Sequence, residues 1–322
     1  MLRHAVTLKV VGTRRRAVTY RTIMETTKLE TRRMGRTEMK PNALALGAAW
    51  IWQKPDAEVI GAIRRAIELG INYIDTYPGH AEYLWGEALS NGLRESVYLQ
   101  AKVGTHPERR KDFSEDGTRW SVTNSLKDLR TDYLDAVLIH DPNDMESVLA
   151  PGCALDTLVE MKAAGSIRHI GAGVRSHEFH KELIETGHID IILTFLDYTL
   201  LSQSVAETTL PLAREHDVGI ILASPLGMGS LTGAEPKVEE ERRRNPDAEP
   251  KAYAMWRWCQ ERGVNIRHLA IQFCLSAPID GVVMFGPADK AQVEDGYEAA
   301  TADIPEDIWE AFETEFGIKR GM

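Results

Sequence analysis

The sequence predicts an α/β protein, a single closed (β/α)8 barrel of the TIM type with an N-terminal hairpin and an extra C-terminal helix. Three observations predict it. An amphipathic helix, a glycine and a short apolar run recur along the chain. The clearest copy has Val59, Ile60, Ile63 and Ile67 at helical spacing, Gly70 as the stop, and then Ile71-Asn72-Tyr73-Ile74-Asp75-Thr76. Successive apolar runs also end at or beside reactive polar residues, Asp75, Lys102 and His140, and the carboxyl ends of barrel strands are where this architecture builds active sites. Finally, the first strand is not followed by the G-x-G-x-x-G that an open dinucleotide-binding sheet would need.

The elements follow in order. Residues 31–52 read as a hairpin running into a first barrel strand at 44–49. Helices and strands then alternate, which means a parallel sheet: helix 56–69 and strand 71–75, helix 82–92 and strand 97–103, helix 118–130 and strand 135–140. Helix 154–164 leads to strand 168–174, helix 176–186 to strand 189–196, and helix 204–216 to strand 218–224. A helix at 264–276 and the run Val282-Val283-Met284-Phe285 complete the eight. Two segments fall outside the repeat. Residues 233–250, with the run from Glu239 to Arg244 and Pro236, Pro246 and Pro250, read as a solvated loop; residues 305–316 read as a helix packed outside the barrel.

Composition bounds the function. A chain of 322 residues fits one large barrel, and 43% hydrophobic residues suffice for its core. A net charge of -10 argues against a nucleic-acid partner, which would need a basic patch. Cys153, Cys259 and Cys274 lack metal-ligand spacing and leave an odd thiol, so the expectation is no metal and a reducing, cytoplasmic setting. No apolar run reaches the roughly 18 residues of a membrane helix. Residues 1–24 stand apart, with six basic residues and no acidic one. They are expected to form a disordered basic extension, leaving residues 25–322 as the barrel.

Several motifs carry a resemblance. Arg32-Arg33-Met34-Gly35-Arg36-Thr37, Gly70-Ile71-Asn72-Tyr73-Ile74-Asp75-Thr76 and the run from Ser224 to Gly233, S-P-L-G-M-G-S-L-T-G, occur in that order. They resemble the opening hairpin, the G-I-N-x-x-D-T signature and the cofactor loop of the aldo-keto reductase superfamily. The resemblance extends from about Arg32 to the end of the chain. Asp112-Phe113-Ser114, Leu138-Ile139-His140-Asp141-Pro142 and Tyr198-Thr199-Leu200-Leu201 are similar to a narrower branch, that of the L-galactose, L-fucose and D-threo-aldose 1-dehydrogenases. The resemblance implies hydride transfer with NADP or NAD, bound without a Rossmann domain.

The chemistry can be argued from the residues as well. Hydride transfer at a carbonyl requires a proton to move at the same oxygen, hence a positioned acid or base. Asp75 and Lys102 at neighbouring strand ends can pair, which keeps the ammonium charged and in place. His140 at the next strand end can hydrogen-bond the reacting oxygen. The resemblance implies a tyrosine five residues after the aspartate as acid/base, in the pattern D-T-A-P-x-Y-G. Here the run is Asp75-Thr76-Tyr77-Pro78-Gly79-His80-Ala81-Glu82-Tyr83, about two residues shorter, with His80 at the fifth position. His80 can exchange a proton near neutral pH without the shift a phenol needs. Tyr77 and Tyr83 are rivals for the role.

For the cofactor, Gly227 and Gly229 are expected to let backbone approach a pyrophosphate, with Ser224, Pro225 and Leu226 in the same loop. Gly286, Lys290, Gln292 and Asp295 resemble the clamp for the adenosine end. Ala291 stands where members that prefer NADP often carry arginine, and Lys290 offers only a point charge to a 2′-phosphate. The resemblance implies a Ser-Asn pair and a Gln around the nicotinamide; this chain has Gly173-Val174 and Phe195, and Ala223 at the stacking tyrosine.

The expected activity is oxidation of an aldose or related sugar at C1, or reduction of a carbonyl, with a small sugar or carbonyl compound as partner. Trp50, Trp52 and Trp85 are candidates to stack on a sugar face. The alternative is a nucleotide-binding barrel with lost or changed redox chemistry, either a non-redox sugar-modifying enzyme or a cofactor-sensing partner protein.

Overall fold

The computed structural model describes residues 28–237 and 251–321. The expected N-terminal extension and residues 238–250 of the expected charged loop lie outside the described residues. Eight parallel strands close into a barrel in chain order. They are β1 Leu44–Gly47, β2 Tyr73–Asp75, β3 Tyr98–Val103, β4 Leu134–His140, β5 Ile167–Gly173, β6 Ile191–Phe195, β7 Gly219–Ala223 and β8 Gly281–Phe285. The sheet closes where Leu44, Ala45 and Leu46 of β1 lie beside Val283, Met284 and Phe285 of β8.

Alternation along each strand decides which side chains reach the barrel interior. Tyr73, Tyr98, Ala136 and Leu138 pack in the inner cluster, and Ile74, Leu99, Ala101, Val137 and Ile139 pack outward under the helices. Asp75, Lys102 and His140 share the inward parity of Tyr73, Tyr98 and Leu138. They therefore line the mouth at the carboxyl end of the barrel.

Among the described residues ten helices of seven or more residues surround the strands. They are α1 Asp56–Glu68, α2 Glu82–Ala88, α3 Glu115–Asp128, α4 Ala154–Ala163, α5 His177–Glu185, α6 Thr209–Glu215, α7 Lys251–Arg262, α8 Ile266–Leu275, α9 Lys290–Thr301 and α10 Glu306–Phe316, apart from short turns. α3 begins earlier than its pattern predicts because the Ser114 hydroxyl accepts from the Gly117 amide at 3.1 Å and caps it. The predicted helix 204–216 is a 3-10 turn, Ser204–Glu207, followed by α6. α7 is unpredicted, although Ala252, Met255, Trp258 and Cys259 give it a buried face at helical spacing. α10 packs outside the barrel, with Phe312 edge-on to Trp258 at 5.1 Å between ring centres.

The expected hairpin is reduced to one bridge, Thr31 to Asn42, flanked by Arg32 N–H to Pro41 O at 2.8 Å and Ala43 N–H to Glu30 O at 2.9 Å. Between its arms Met34 and Met39 plug the amino end of the barrel. Gly35 makes the plug possible. Its φ is +51°, and a Cβ there would lie 2.2 Å from the Gly219 nitrogen. Among the described residues no helix is long and apolar enough to cross a membrane.

Candidate active site

The Asp75 carboxylate is the fixed point of the mouth. Its Oδ1 accepts from Lys102 Nζ at 2.5 Å and from Gln100 Nε2 at 2.6 Å, while Gln100 Oε1 accepts from the Tyr73 hydroxyl at 2.8 Å. Lys102 Nζ donates again to the Thr76 carbonyl at 2.7 Å. An ammonium has three N–H donors, so one is left for the mouth. All of these side chains are buried, and in that environment the pair is held rigidly by hydrogen bonds on both partners. Gln100 was missed from sequence, although it sits two residues before Lys102 on the same face of β3.

Beneath this pair lies a second carboxyl. Glu82, at the start of α2 and 1% exposed, contacts the Thr76 hydroxyl at 2.6 Å and accepts from Ser125 at 2.9 Å. Burial, reinforced by Asp128 and opposed by those hydroxyls and Lys102, pushes it up to about 7. The Thr76 hydroxyl also lies 3.0 Å from the Gln100 carbonyl. One hydroxyl hydrogen cannot serve two acceptors. A protonated Glu82 resolves this by donating to Thr76, which then donates to Gln100.

The structure brings Tyr77, rather than His80, against Lys102 and His140. Lys102 Nζ is 5.2 Å from the centre of the Tyr77 ring, and the His140 ring meets Tyr77 edge-on at 5.5 Å. His80 lies behind, 4.8 Å from Tyr77 and 4.8 Å from Trp52; among the described residues it has no contact with Lys102. The shortened loop accounts for this. Gly79 and Ala81 take left-handed φ values of +82° and +57°, a tight turn that swings Tyr77 inward. Tyr83 is 48% exposed on α2 and points away from the chemistry.

Protonation divides the two candidates differently. Burial lowers His80, with His106 adding to the effect, so its imidazole is neutral at pH 7 and can accept a proton. Burial raises Tyr77, and Asp141 and Asp75 push it the same way against Arg110. Burial also drops His140 to about 3, helped by the charges of Lys102, Lys111 and Arg110. His140 is therefore a neutral hydrogen-bonding group at any working pH.

Of the expected sugar-stacking residues, Trp50 and Trp52 are exposed at the mouth, at 45% and 37%. Trp85 is fully buried in the core between strands and helices, which removes it from the list.

A cavity of about 820 Å³ lies between the loop after β7 and the start of α9. Leu226, Gly286, Gln292 and Asp295 line it; Ser224, Pro225, Gly227, Gly229 and Lys290 do not, and neither do Asp75, Lys102 and His140. The Gly227 and Gly229 amides donate to Ser224 O and Leu226 O at 3.0 and 3.1 Å, inside their own loop. What these glycines contribute is conformation and room. Gly229 has φ +105°, and a Cβ built there meets nothing within 4 Å. Ser224 is itself left-handed, at φ +61°, and Pro225 is buried beside it. Gln292 Oε1 accepts from the Ala288 amide at 2.9 Å, and Lys290 is exposed on the first turn of α9. Arg267 was missed. It reaches into the cavity from α8, 2.5 Å from Asp295 and 2.9 Å from the Thr232 carbonyl, and no sequence signal marked it. The open space at Gly229 and the polar cavity beside it fit an extended dinucleotide.

Comparison with known proteins places the chain in a family and a fold. A model described as the aldo/keto reductase family matches residues 43–314. L-Galactose dehydrogenase of Arabidopsis thaliana is 31% identical over 290 residues, covering 85% of this chain and 89% of its own. D-threo-Aldose 1-dehydrogenase of a Pseudomonas species is 28% identical over 284 residues, covering 79% and 86%. The holo form of an aldo-keto reductase from Bacillus halodurans superposes with a TM-score of 0.74 at 23% identity, covering 89% of this chain and 96% of that one. The last likeness speaks for the fold alone.

Proposed function

The chain belongs to the aldo/keto reductase family, and from that premise we propose that it oxidises an aldose at C1 with NAD or NADP, or runs the related carbonyl reduction. One observation carries the reading: the Lys102 ammonium is clamped by Asp75 and the Thr76 carbonyl at 2.5 and 2.7 Å, beside a neutral His140 and at the open end of the barrel. The coverage of the two sugar dehydrogenases supports the substrate class.

In this mechanism His140 binds the reacting oxygen and fixes its orientation. Lys102 supplies a fixed positive charge where negative charge develops on that oxygen, without reorganisation at the moment of reaction. His80 takes the proton by way of Tyr77, whose ring touches His80 on one side and Lys102 and His140 on the other. The 224–233 loop and the 286–295 segment would hold a nicotinamide dinucleotide, which when bound would supply the hydride acceptor. Gly173, Val174, Phe195 and Ala223 would offer no side-chain donor to a nicotinamide amide.

A second assignment, with Tyr77 as the acid/base, is favoured by its contacts with both Lys102 and His140. Kinetics separates the two. Purified protein is titrated with NAD⁺ and NADP⁺, and aldoses are scanned for reduced-nicotinamide absorbance. His80→Ala is expected to lower turnover by about 10²–10⁴-fold, with an acidic limb in the wild-type pH profile below the ordinary histidine value. If Tyr77→Phe abolishes turnover and His80→Ala does not, the role passes to Tyr77. If neither nucleotide binds and no aldose reacts, the redox reading fails and the changed-chemistry alternative replaces it.

A further inference from the structure

Resting on the reading of the mouth as a sugar site, we propose that its substrate is an anionic sugar, an aldose bearing a carboxylate or phosphate away from C1, and that Arg110 binds that group.

The loop carrying Arg110 is anchored on both sides of the reacting centre. Pro107 packs under the loop of Tyr77 and His80 so closely that a Cβ on Gly79 would lie 2.2 Å from its Cδ. The Lys111 amide closes the loop on Gly104 O at 3.0 Å, and the Lys111 ammonium donates to the carbonyl of Asp141, the residue after His140. Arg110 lies between these anchors, and its charge acts on both Tyr77 and His140.

The neighbouring cations are already engaged. Arg109 is 2.5 Å from Asp116 and 3.5 Å from Asp112, and Lys102 is held by Asp75. Lys111 is bound to Asp141, whose carboxylate also feels Lys102. Across the mouth Arg175 pairs with Asp197 at 3.0 Å. Arg110 is exposed and has no hydrogen-bond or ion-pair partner among the described residues. In a chain of net charge -10, an exposed, unpaired guanidinium on a loop anchored beside the mouth concentrates anions there. Its planar fork suits a carboxylate or phosphate better than a neutral hydroxyl.

The cofactor's own phosphates do not account for it. The nucleotide loop follows β7, whereas Arg110 follows β3, on the opposite side of an eight-stranded ring. The loop of Arg110 therefore lies across the ring from the nucleotide loop.

The test compares a hexuronate, an aldose 6-phosphate and their neutral parent aldose. Turnover is measured with either nucleotide, and binding is measured by calorimetry in parallel. The anionic sugars are expected to exceed the neutral one in kcat/KM by about tenfold, the size of one hydrogen bond to a charged group. That preference should shrink as salt rises from about 50 to about 500 mM. Arg110→Ala should bring the ratio to about one, and Arg110→Lys should keep part of it. The uronate and phosphate arms identify which anion is taken. If neutral and anionic sugars react alike and Arg110→Ala leaves their ratio unchanged, the proposal is overturned while the dehydrogenase reading stands. If no sugar reacts but anionic sugars bind in an Arg110-dependent way, Arg110 stands as the anion site, the sugar is a ligand and not a substrate, and the dehydrogenase reading falls. Absence of both reaction and binding overturns the proposal.

Discussion

At its two ends the barrel buries carboxylates to a similar depth and surrounds them differently. At the amino end Asp190 receives Lys162 at 2.6 Å, Arg36 at 2.9 Å, the Ile170 amide at 3.1 Å and His169 at 3.4 Å. Asp135 receives Arg94 at 2.9 Å, Arg168 at 3.0 Å and the Leu99 amide at 2.9 Å, and Arg94 and Arg168 lie 4.2 and 4.0 Å from the Tyr133 ring centre. Each of these carboxylates has at least two cations, and Arg36 and Arg94 also donate to backbone carbonyls of the frame. At the mouth Asp75 has one cation, and that cation keeps a donor free. Saturation makes a joint; an incomplete shell makes a site. Conserving fold and running chemistry are thus separated by geometry, as barrel architecture allows.

The sharpest way to break this contrast is to remove the mouth's cation. Lys102→Met is expected to cost about 10³-fold in turnover, the scale of losing one charge-stabilising donor. It also strands Asp75 in the interior, so stability should drop by about 3–5 kcal/mol. The double variant Asp75→Asn, Lys102→Met removes both charges and should recover most of that stability in denaturant unfolding, because a neutral pair needs no counter-charge. Turnover should not recover. If it did, the pair would be a joint like those at the other end.

The converse experiment is Asp190→Ala. It removes the acceptor of four donors and is expected to cost about 3 kcal/mol, somewhat below a fully buried break because Lys162 and Arg36 reach solvent. Turnover per folded molecule should be unchanged. Burial opposes ionisation of Asp190, but bonds from His169, Lys162 and the Ile170 amide hold it below the usual carboxylate range. A depressed carboxylate stabilises the fold above its unfolded value, about 3.9, and loses that contribution as pH falls through the folded value. The gap between wild type and variant should therefore narrow in acid. A gap that stays constant from neutral pH into acid would mean that Asp190 is held by packing alone.

The same contrast explains what was legible beforehand. The strand pattern, Asp75, Lys102 and His140 lie on regular elements, where parity along a strand fixes direction, and the sequence reads them well. Tyr77 and His80 lie on a shortened loop. Their exchange of places depends on left-handed residues and on Pro107 from another loop, neither of which local sequence encodes. Trp85 looked like a mouth residue because α2 starts near the mouth, yet its helical phase turns it into the core. The 224–233 glycine loop was picked out by motif, but the Gly227 and Gly229 amides are used within the loop, which spacing alone does not reveal. Arg267 had no pattern at all; only the fold brings it to a cavity.

The smallest expected effect separates the layers of the mouth itself. Glu82 lies under Asp75 and Lys102 without touching either, joined to them through Thr76. Its raised value means that the folded protein holds a proton that the unfolded chain releases near pH 4.5. Between those values the unfolded state binds fewer protons, so stability falls as pH rises and the loss is complete above the folded value. The charges facing Glu82 are Lys102 from β3, which eases ionisation, and Asp128 from α3, which opposes it. Glu82→Gln keeps the shape, places an amide donor towards Thr76 and an acceptor towards Ser125, and cannot ionise. The variant should match wild type near pH 4 and exceed it by about 3 kcal/mol near pH 8, since each pKa unit is worth about 1.4 kcal/mol. Turnover should keep its pH optimum, because the Asp75–Lys102 pair remains. Thermal unfolding of both proteins across that pH range decides it: parallel stability curves would mean that Glu82 is ionised in the fold, and that the two acceptors at Thr76 are satisfied in some other way.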